Sequence, residues 1–387
     1  MGIKNLTVIL NQKCQLAINT RKLEDYSKTF ENTDDSYRII FGIDLSIFLY
    51  KYLYNNNDHI EGLTRLILRL LKNHITPLFI FDGKPPKEKG NTLQLRKDKR
   101  DLMVNKKKIY QHASTIKDKD FENFKTEIMD CIEKDDSSYL IDENELKILF
   151  EKKEDELHKE IELISKKIIY VTQYHIDSCK ELFDLFGIKY IHAPCEAESL
   201  LAMLCKNNYV DGCISEDTDI LVNGGHLFLR NFNADKNTVD EYCLEGILNN
   251  LDITHEQFVD MCILCGCDYT SKINGLGPIT AHKLILKYKS IEEIFKNNKK
   301  YIIPDDFNYI KARDLFKNPV SKEIFDNIDK TITLKEPNIE KLKVFLKDTK
   351  LKDKFFKEIE KNLVNYYLNI EGISNKKSKK ITDYFSK

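Results

Sequence analysis

The sequence predicts an α/β fold, and three observations carry that expectation. Two apolar, β-branched runs, Arg38–Asp44 (RIIFGID) and Thr76–Asp82 (TPLFIFD), read as buried strands, and each closes on an aspartate. Apolar residues at helical 3–4 spacing follow the first of them, with Leu63, Leu66, Ile67, Leu70 and Leu71 marking one helix. The third observation is the stretch from Ala193 to Gly224, which carries the acid pairs Glu196/Glu198 and Asp217/Asp219. Within it Leu200, Leu201, Leu204 and Cys205 predict a helix over 197–206, and Val210–Ile214 a short buried strand. Ser215–Asp219 then falls at that strand's carboxyl end, where α/β sheets place their ligands. In extended backbone, acids at i and i+2 point the same way. Asp217 and Asp219 can therefore share one metal ion, a solvated acidic turn being the reading of this segment taken by itself. Glu196 and Glu198 would diverge on a regular helix, so at least one belongs to the non-helical entry after Pro194.

The remaining elements follow in order. A helix runs from Ser46 to about Tyr54, and Gly83, Pro85 and Pro86 break the chain after the second strand. Residues 87–170 are rich in Lys, Glu and Asp, without Gly or Pro after Gly90. Phe121, Phe124, Ile128 and Cys131 form one apolar stripe there; Phe150, Leu157, Ile161, Ile164 and Ile168 form another. Asp142 with Glu145 makes an N-cap and N3 pair. The segment reads as three amphipathic helices with a turn near Asp135–Ser138, too charged for a core of its own, its two stripes packing on each other. His175–Phe186 is a helix stopped by Gly187, and Ile188–His192 and Leu227–Phe232 are strands. A helix starts at the N-cap Thr254, with Asp268 after it. Gly275-Leu276-Gly277-Pro278 precedes the helix Ile279–Tyr288, a hairpin whose free backbone N–H groups can hold a phosphate.

With 387 residues, 42% hydrophobic and 32% charged, the chain can bury a substantial core. A net charge of −1 conceals a local excess of ten Lys/Arg over three acids between Lys84 and Lys108, which suits a polyanion. Leu6–Leu10 is too short for a signal peptide, and no apolar run approaches a membrane span. Ten cysteines read as reduced intracellular thiols. Cys262, Cys265 and Cys267 have no second Cys/His pair at ligand spacing, so they are expected to be buried thiols rather than zinc ligands.

Together these stretches resemble the eukaryotic and archaeal flap endonucleases of the structure-specific 5′ nuclease family. The resemblance lies in MGI at the start, FGIDLS, FIFDGKPP, VTQYH, APCEAES, SEDTDIL, FVDMCILCGCDY and INGLGPITAHKLI, and it spans nearly the whole chain. It implies a PIN-like fold: a twisted, mostly parallel sheet flanked by helices, with a helical arch and a helix–hairpin–helix. Residues 1–100 and 171–265 would form the nuclease core and 101–170 an extended arch. Residues 266–370 would hold the helix–hairpin–helix and the C-terminal helices, and 371–387 a disordered tail.

The resemblance further implies seven metal-binding carboxylates, Asp44, Asp82, Glu196, Glu198, Asp217, Asp219 and Asp268. The first four would hold the ion that carries the attacking water. Asp217 and Asp268 would complete a second site, with Asp219 near both. The all-oxygen set favours Mg2+, with Mn2+ as a substitute. Lys89 and Arg96 correspond to the basic pair that grips the scissile phosphate, Tyr50 to an aromatic that stacks on a base, and Gly2, Gly275 and Gly277 to DNA-contacting positions. K+ is expected at the helix–hairpin–helix, where the match around Thr270–Lys272 is loose. Ile381, Tyr384 and Phe385 resemble a sliding-clamp-binding motif whose first position is Ser378 instead of Gln. The implied activity is cleavage of 5′ flaps on branched DNA, with 5′–3′ exonuclease action, by a monomer in replication and repair. It would lie in the nucleus, or where viral DNA replicates if the source is a virus. A related 5′ exonuclease or a bubble- or junction-cutting enzyme is the neighbouring reading, and an inactive clamp-bound scaffold the remote one. Two departures stand out: about ten extra residues around Glu24–Asp35, and some forty between Asp82 and Glu196.

Overall fold

The computed structural model describes residues 2–28, 39–55, 58–117, 120–134, 141–233, 236–347 and 349. The clamp-like tail, the turn near Asp135–Ser138 and most of the extra segment before Asp44 lie outside them. The chain divides into two compact units.

The first unit comprises Met1–Leu49, Asp58–Lys89 and Gln173–Lys387. Seven strands form its sheet: β1 (Ile18–Lys22), β2 (Ile39–Asp44), β3 (Ile75–Phe81), β4 (Tyr190–His192), β5 (Gly212–Ile214), β6 (Leu227–Asn233) and β7 (Thr238–Cys243). Their order is β1-β7-β6-β5-β2-β3-β4. From β6 to β4 every pairing is parallel, whereas β7 pairs antiparallel with both β6 and β1. The central parallel strands β2, β3 and β5 are buried on both faces, which is why β3 reads as an unbroken apolar run. From β2 the chain steps one way to β3 and β4 and the other way to β5 and β6. The carboxyl ends of β2 and β5 therefore flank the point where strand order reverses, the usual crevice of such sheets.

The helix Ala197–Lys206 packs against β2, β3 and β5, burying Leu200, Leu201 and Leu204. The helix Gln173–Phe186 adds Phe183, stacked on Phe79 with centroids 4.2 Å apart, and ends at Gly187 with φ 66°. Of the extra residues before Asp44, Leu23–Lys28 is helical; the Tyr26 hydroxyl donates to the buried Glu241 at 2.7 Å. Thr254 caps the helix His255–Cys265 with a full capping box. This helix packs against both Pro278–Tyr288 and Tyr309–Lys317. Cys262, Cys265 and Cys267 are buried in the core, as expected, and burial raises all three thiols, Cys265 and Cys267 to about 12.

The second unit comprises Tyr50–Asn57 and Gly90–Thr172. Two expectations need correction there. Among its described residues the insertion holds four helices, Gly90–Ala113, Phe121–Lys134, Glu143–Glu151 and Glu154–Lys167, because Lys152 and Lys153 are extended and split the second stripe. It also has a core of its own, with Ile109, Tyr110, Phe124, Ile128, Leu149 and Leu157 buried together. The stripes do meet: Phe150 sits edge-on to Phe121 and Phe124 at 5.4 and 5.2 Å. The high charge is carried on the outer faces, so composition hides the seam. No described helix is long and apolar enough to cross a membrane.

Candidate metal centre

Asp44 is the last residue of β2, and Asp82 directly follows β3. Parallel pairing of these strands brings both acids to one edge of the sheet. Each is held by a serine that sequence reasoning missed. The Ser215 hydroxyl donates to Asp44 Oδ2 at 3.1 Å, and the Ser46 hydroxyl donates to Asp82 Oδ2. Asp82 Oδ1 also accepts the Ala197 N–H at 2.9 Å, tying β3 to the start of the glutamate helix. Glu196 is that helix's N-cap, in extended backbone, and Glu198 lies in its first turn. The break after Pro194 thus turns the two carboxylates toward one site.

Asp217 and Asp219 also converge, but not through extended backbone. Thr218 is right-handed helical, Asp219 begins the short helix Asp219–Val222, and the Asp219 N–H donates to Asp217 Oδ1 at 3.0 Å. Carboxylate oxygens of Glu198, Asp217 and Asp219 lie within 4.8 Å of one another, all buried. Gly2, with φ 78°, closes the same corner: a Cβ there would overlap Asp217 and lie 2.7 Å from Asp219 Oδ1. The Ile3 N–H donates to Thr218 Oγ1 at 3.1 Å, fixing that approach.

Lys89 is buried inside this nest, not solvated. Its ammonium is paired with Glu196 and lies 3.6 Å from Glu198 and 3.7 Å from Asp268. Burial disfavours its charge, yet Glu198, Glu196 and Asp268 outweigh that and raise its pKa. One cation does not neutralise so many acids. Burial, and then neighbouring acids, push Asp44 up to about 8 and Glu198 and Asp219 well above the usual carboxylate range. Asp217 is raised by burial as well, against the Asp219 N–H. Both side-chain oxygens of Asp219 are buried without a hydrogen-bond partner among the described residues. Like charges at about 4 Å repel by roughly 4 kcal/mol at an effective dielectric near 20. Such a donor set, all oxygen with one orphaned carboxylate, fits hard divalent cations.

These shifts predict how the metal-free protein responds to pH. Carboxyls whose folded pKa is raised hold their protons after the unfolded chain has lost them. Their stabilising contribution is complete below pH about 4 and lost as pH rises through about 8. In EDTA the thermal midpoint should therefore fall between pH 5 and 8, and Mg2+ should reverse the fall at the upper end. A midpoint that rises with pH in EDTA would contradict the nest.

The other sequence-predicted positions are on different elements. Arg96 is exposed on the helix Gly90–Ala113, and Tyr50, 45% exposed, is on the helix Leu45–Tyr54; both belong to the second unit. Tyr50 is thus not packed in the core. Gly275, with φ 76°, and Gly277, the N-cap of Pro278–Tyr288, line an open turn where a Cβ would meet nothing within 4 Å. Beside it the Ser271 hydroxyl bonds Asp306, and Thr270 Oγ1 accepts the Asn308 N–H at 2.7 Å.

A carboxylate nest where a parallel sheet reverses its strand order is suited to divalent cations, and comparison with known proteins gives the family. Residues 1–103 match the XPG N-terminal domain and 187–268 the XPG I-region. A flap endonuclease 1 of Ostreococcus lucimarinus is 33% identical over 378 residues, covering 92% of this chain and 82% of the relative. Among solved structures, the catalytic core of Rad2 in complex with DNA substrate is similar in fold, with TM-score 0.63 and 22% identity. That match covers 94% of this chain and 100% of the other. The Holliday junction-resolving enzyme GEN1, in complex with product DNA, Mg2+ and Mn2+ ions, matches with TM-score 0.54 and 16% identity, covering 89% and 72%. This chain belongs to the flap endonuclease family.

Proposed function

We propose that this chain is a structure-specific nuclease that cleaves 5′ flaps of branched DNA by hydrolysing a phosphodiester bond. The observation that carries the reading is the buried cluster of Glu198, Asp217 and Asp219, whose carboxylate oxygens lie within 4.8 Å of one another, with neither side-chain oxygen of Asp219 hydrogen-bonded among the described residues. Together with Asp44, Asp82, Glu196 and Asp268 they would hold Mg2+ or Mn2+. Two such ions, when bound, supply an activated water and stabilise the leaving oxygen. The chain's own part is to orient the carboxylates through Ser46, Ser215 and the Ala197 N–H, and to bring Lys89 to the phosphate. Arg96 would grip the same phosphate, bidentately where Lys89 acts as a point charge. Tyr50 would stack on a base, and Gly275 and Gly277 would let duplex backbone approach, with K+ beside them.

The deciding experiment presents end-labelled flap, nick, bubble and single-stranded DNA with Mg2+ and, separately, with EDTA. Rapid Mg2+-dependent cutting of the flap supports the reading. Preference for a bubble or junction would transfer it to another branch of the family, and no cutting would end it.

The tail completes the proposal: Ile381, Tyr384 and Phe385 would anchor a sliding clamp during replication and repair, in the nucleus or where viral DNA replicates. Paired aromatics dominate such contacts. A peptide spanning 372–387 should bind a cognate clamp, and Tyr384→Ala with Phe385→Ala should remove clamp stimulation while clamp-free cutting persists. No binding at hundreds of micromolar would discard the tail's role.

A further inference from the structure

The approach of Tyr269 to Glu196 carries an inference that the family resemblance does not supply. Tyr269 follows Asp268 directly, and its hydroxyl donates to Glu196 Oε2 at 3.3 Å, across 73 residues of sequence, in a buried environment. The ring is 7% exposed and sits edge-on to Phe316, with centroids 4.9 Å apart and planes at 60°. Phe316 belongs to the helix Tyr309–Lys317, packed on His255–Cys265, so the phenol is braced from behind.

Glu196 has unusual need of a donor. As an N-cap it could turn its carboxylate back onto the first-turn N–H groups, the ordinary use of an acid there. It makes no such bond. Its Oε1 faces Lys89 and its Oε2 faces Tyr269. Lys89 is a flexible point charge that a phosphate can draw away, whereas the phenol is fixed by its ring. One hydrogen bond to a carboxylate oxygen leaves further lone pairs for a cation.

We propose that Tyr269 is a positioning residue: its hydroxyl holds the Glu196 carboxylate in the orientation that receives a divalent cation. Groups that orient a metal's ligands typically change affinity or activity 10–100-fold when removed. The inference rests on the reading of Glu196 as a cation ligand, so its test must separate the two.

The test is Mn2+ binding by the full-length protein, followed by electron paramagnetic resonance, for wild type, Tyr269→Phe, Glu196→Gln and Phe316→Leu. Tyr269→Phe keeps the ring and removes only the hydroxyl. It should bind Mn2+ about tenfold more weakly, keep its thermal midpoint in EDTA, and lose single-turnover rate at low Mg2+ that high Mg2+ restores. Phe316→Leu loosens the packing behind the ring and spares the hydroxyl, so it should lower the midpoint and weaken Mn2+ binding less than Tyr269→Phe does. Wild-type affinity in Tyr269→Phe, beside weakened binding in Glu196→Gln, would overturn the role of Tyr269 alone. Wild-type affinity in Glu196→Gln would overturn the ligand assignment and the inference with it. Loss of midpoint and affinity together in Tyr269→Phe, matched by Phe316→Leu, would make the residue structural only.

Discussion

Asp219→Asn should abolish flap cleavage, by 10³-fold or more on the scale of lost electrostatic stabilisation at a reacting centre, while flap DNA still binds within a few-fold. Asp219 is the most deeply placed of the seven acids, 1% exposed, with neither side-chain oxygen hydrogen-bonded among the described residues. A carboxylate so placed gains nothing for the fold, since an unpaired buried charge is costly. Asparagine has the same shape and removes that charge. In EDTA the variant should therefore be more stable than wild type, with a higher thermal midpoint. Loss of activity with gain of stability is the expected signature of a functional group held in strain, and surface or packing residues do not give it. DNA affinity should survive because it rests mainly on phosphate contacts made elsewhere. Single-turnover cleavage at saturating enzyme and melting in EDTA are the two measurements. A variant that keeps more than a tenth of the wild-type rate would remove Asp219 from the site.

Much of this site was legible in the sequence because strand and acid are contiguous there. RIIFGID and TPLFIFD announce a buried strand and the carboxylate at its end in one run. What was illegible is what arrives from afar. Lys89 reaches Glu196 across 107 residues, Tyr269 across 73, and Ile3 reaches Thr218 across 215. Lys89 lies in a run of basic residues that looks like a solvated surface, and nothing local marks it for burial. The strands β1 (INTRK) and β7 (TVDEYC) were missed because they lie at the antiparallel margin of the sheet, where polar residues break the apolar run. Alternation of acids at Asp217–Asp219 is a strand signal and suggests extended geometry. The helical φ and ψ of Thr218 reach the same convergence by a tighter path. In the insertion, periodicity gave the two stripes, but a pair of lysines hid the break between Glu151 and Glu154.

Lys89→Met is the second large effect, and its two consequences respond oppositely to metal. The ammonium sits among Glu196, Glu198 and Asp268 and is 4% exposed. Methionine preserves much of the stem and deletes the charge. Removing one partner of a buried ion pair typically costs about 3–5 kcal/mol, because the charges left behind are uncompensated. Part of that penalty is relieved here by proton uptake, since Asp44, Glu198, Asp217 and Asp219 are already raised and rise further. The thermal midpoint should thus fall in EDTA, more at pH 8 than at pH 5. Divalent cations supply the missing charge, so Mg2+ should close most of the gap. Cleavage should behave in the opposite way. Saturating Mg2+ should leave the chemical step slowed by about 10²–10³-fold, the usual cost of losing one preorganised charge at a developing anion. The conservative variant Lys89→Arg, which keeps the charge, should restore the EDTA midpoint more fully than the rate, because a planar guanidinium does not fit an ammonium's pocket. An unchanged saturated single-turnover rate, with affinity for flap DNA reduced instead, would show Lys89 to be an ordinary counter-charge of the acids and no part of the chemistry.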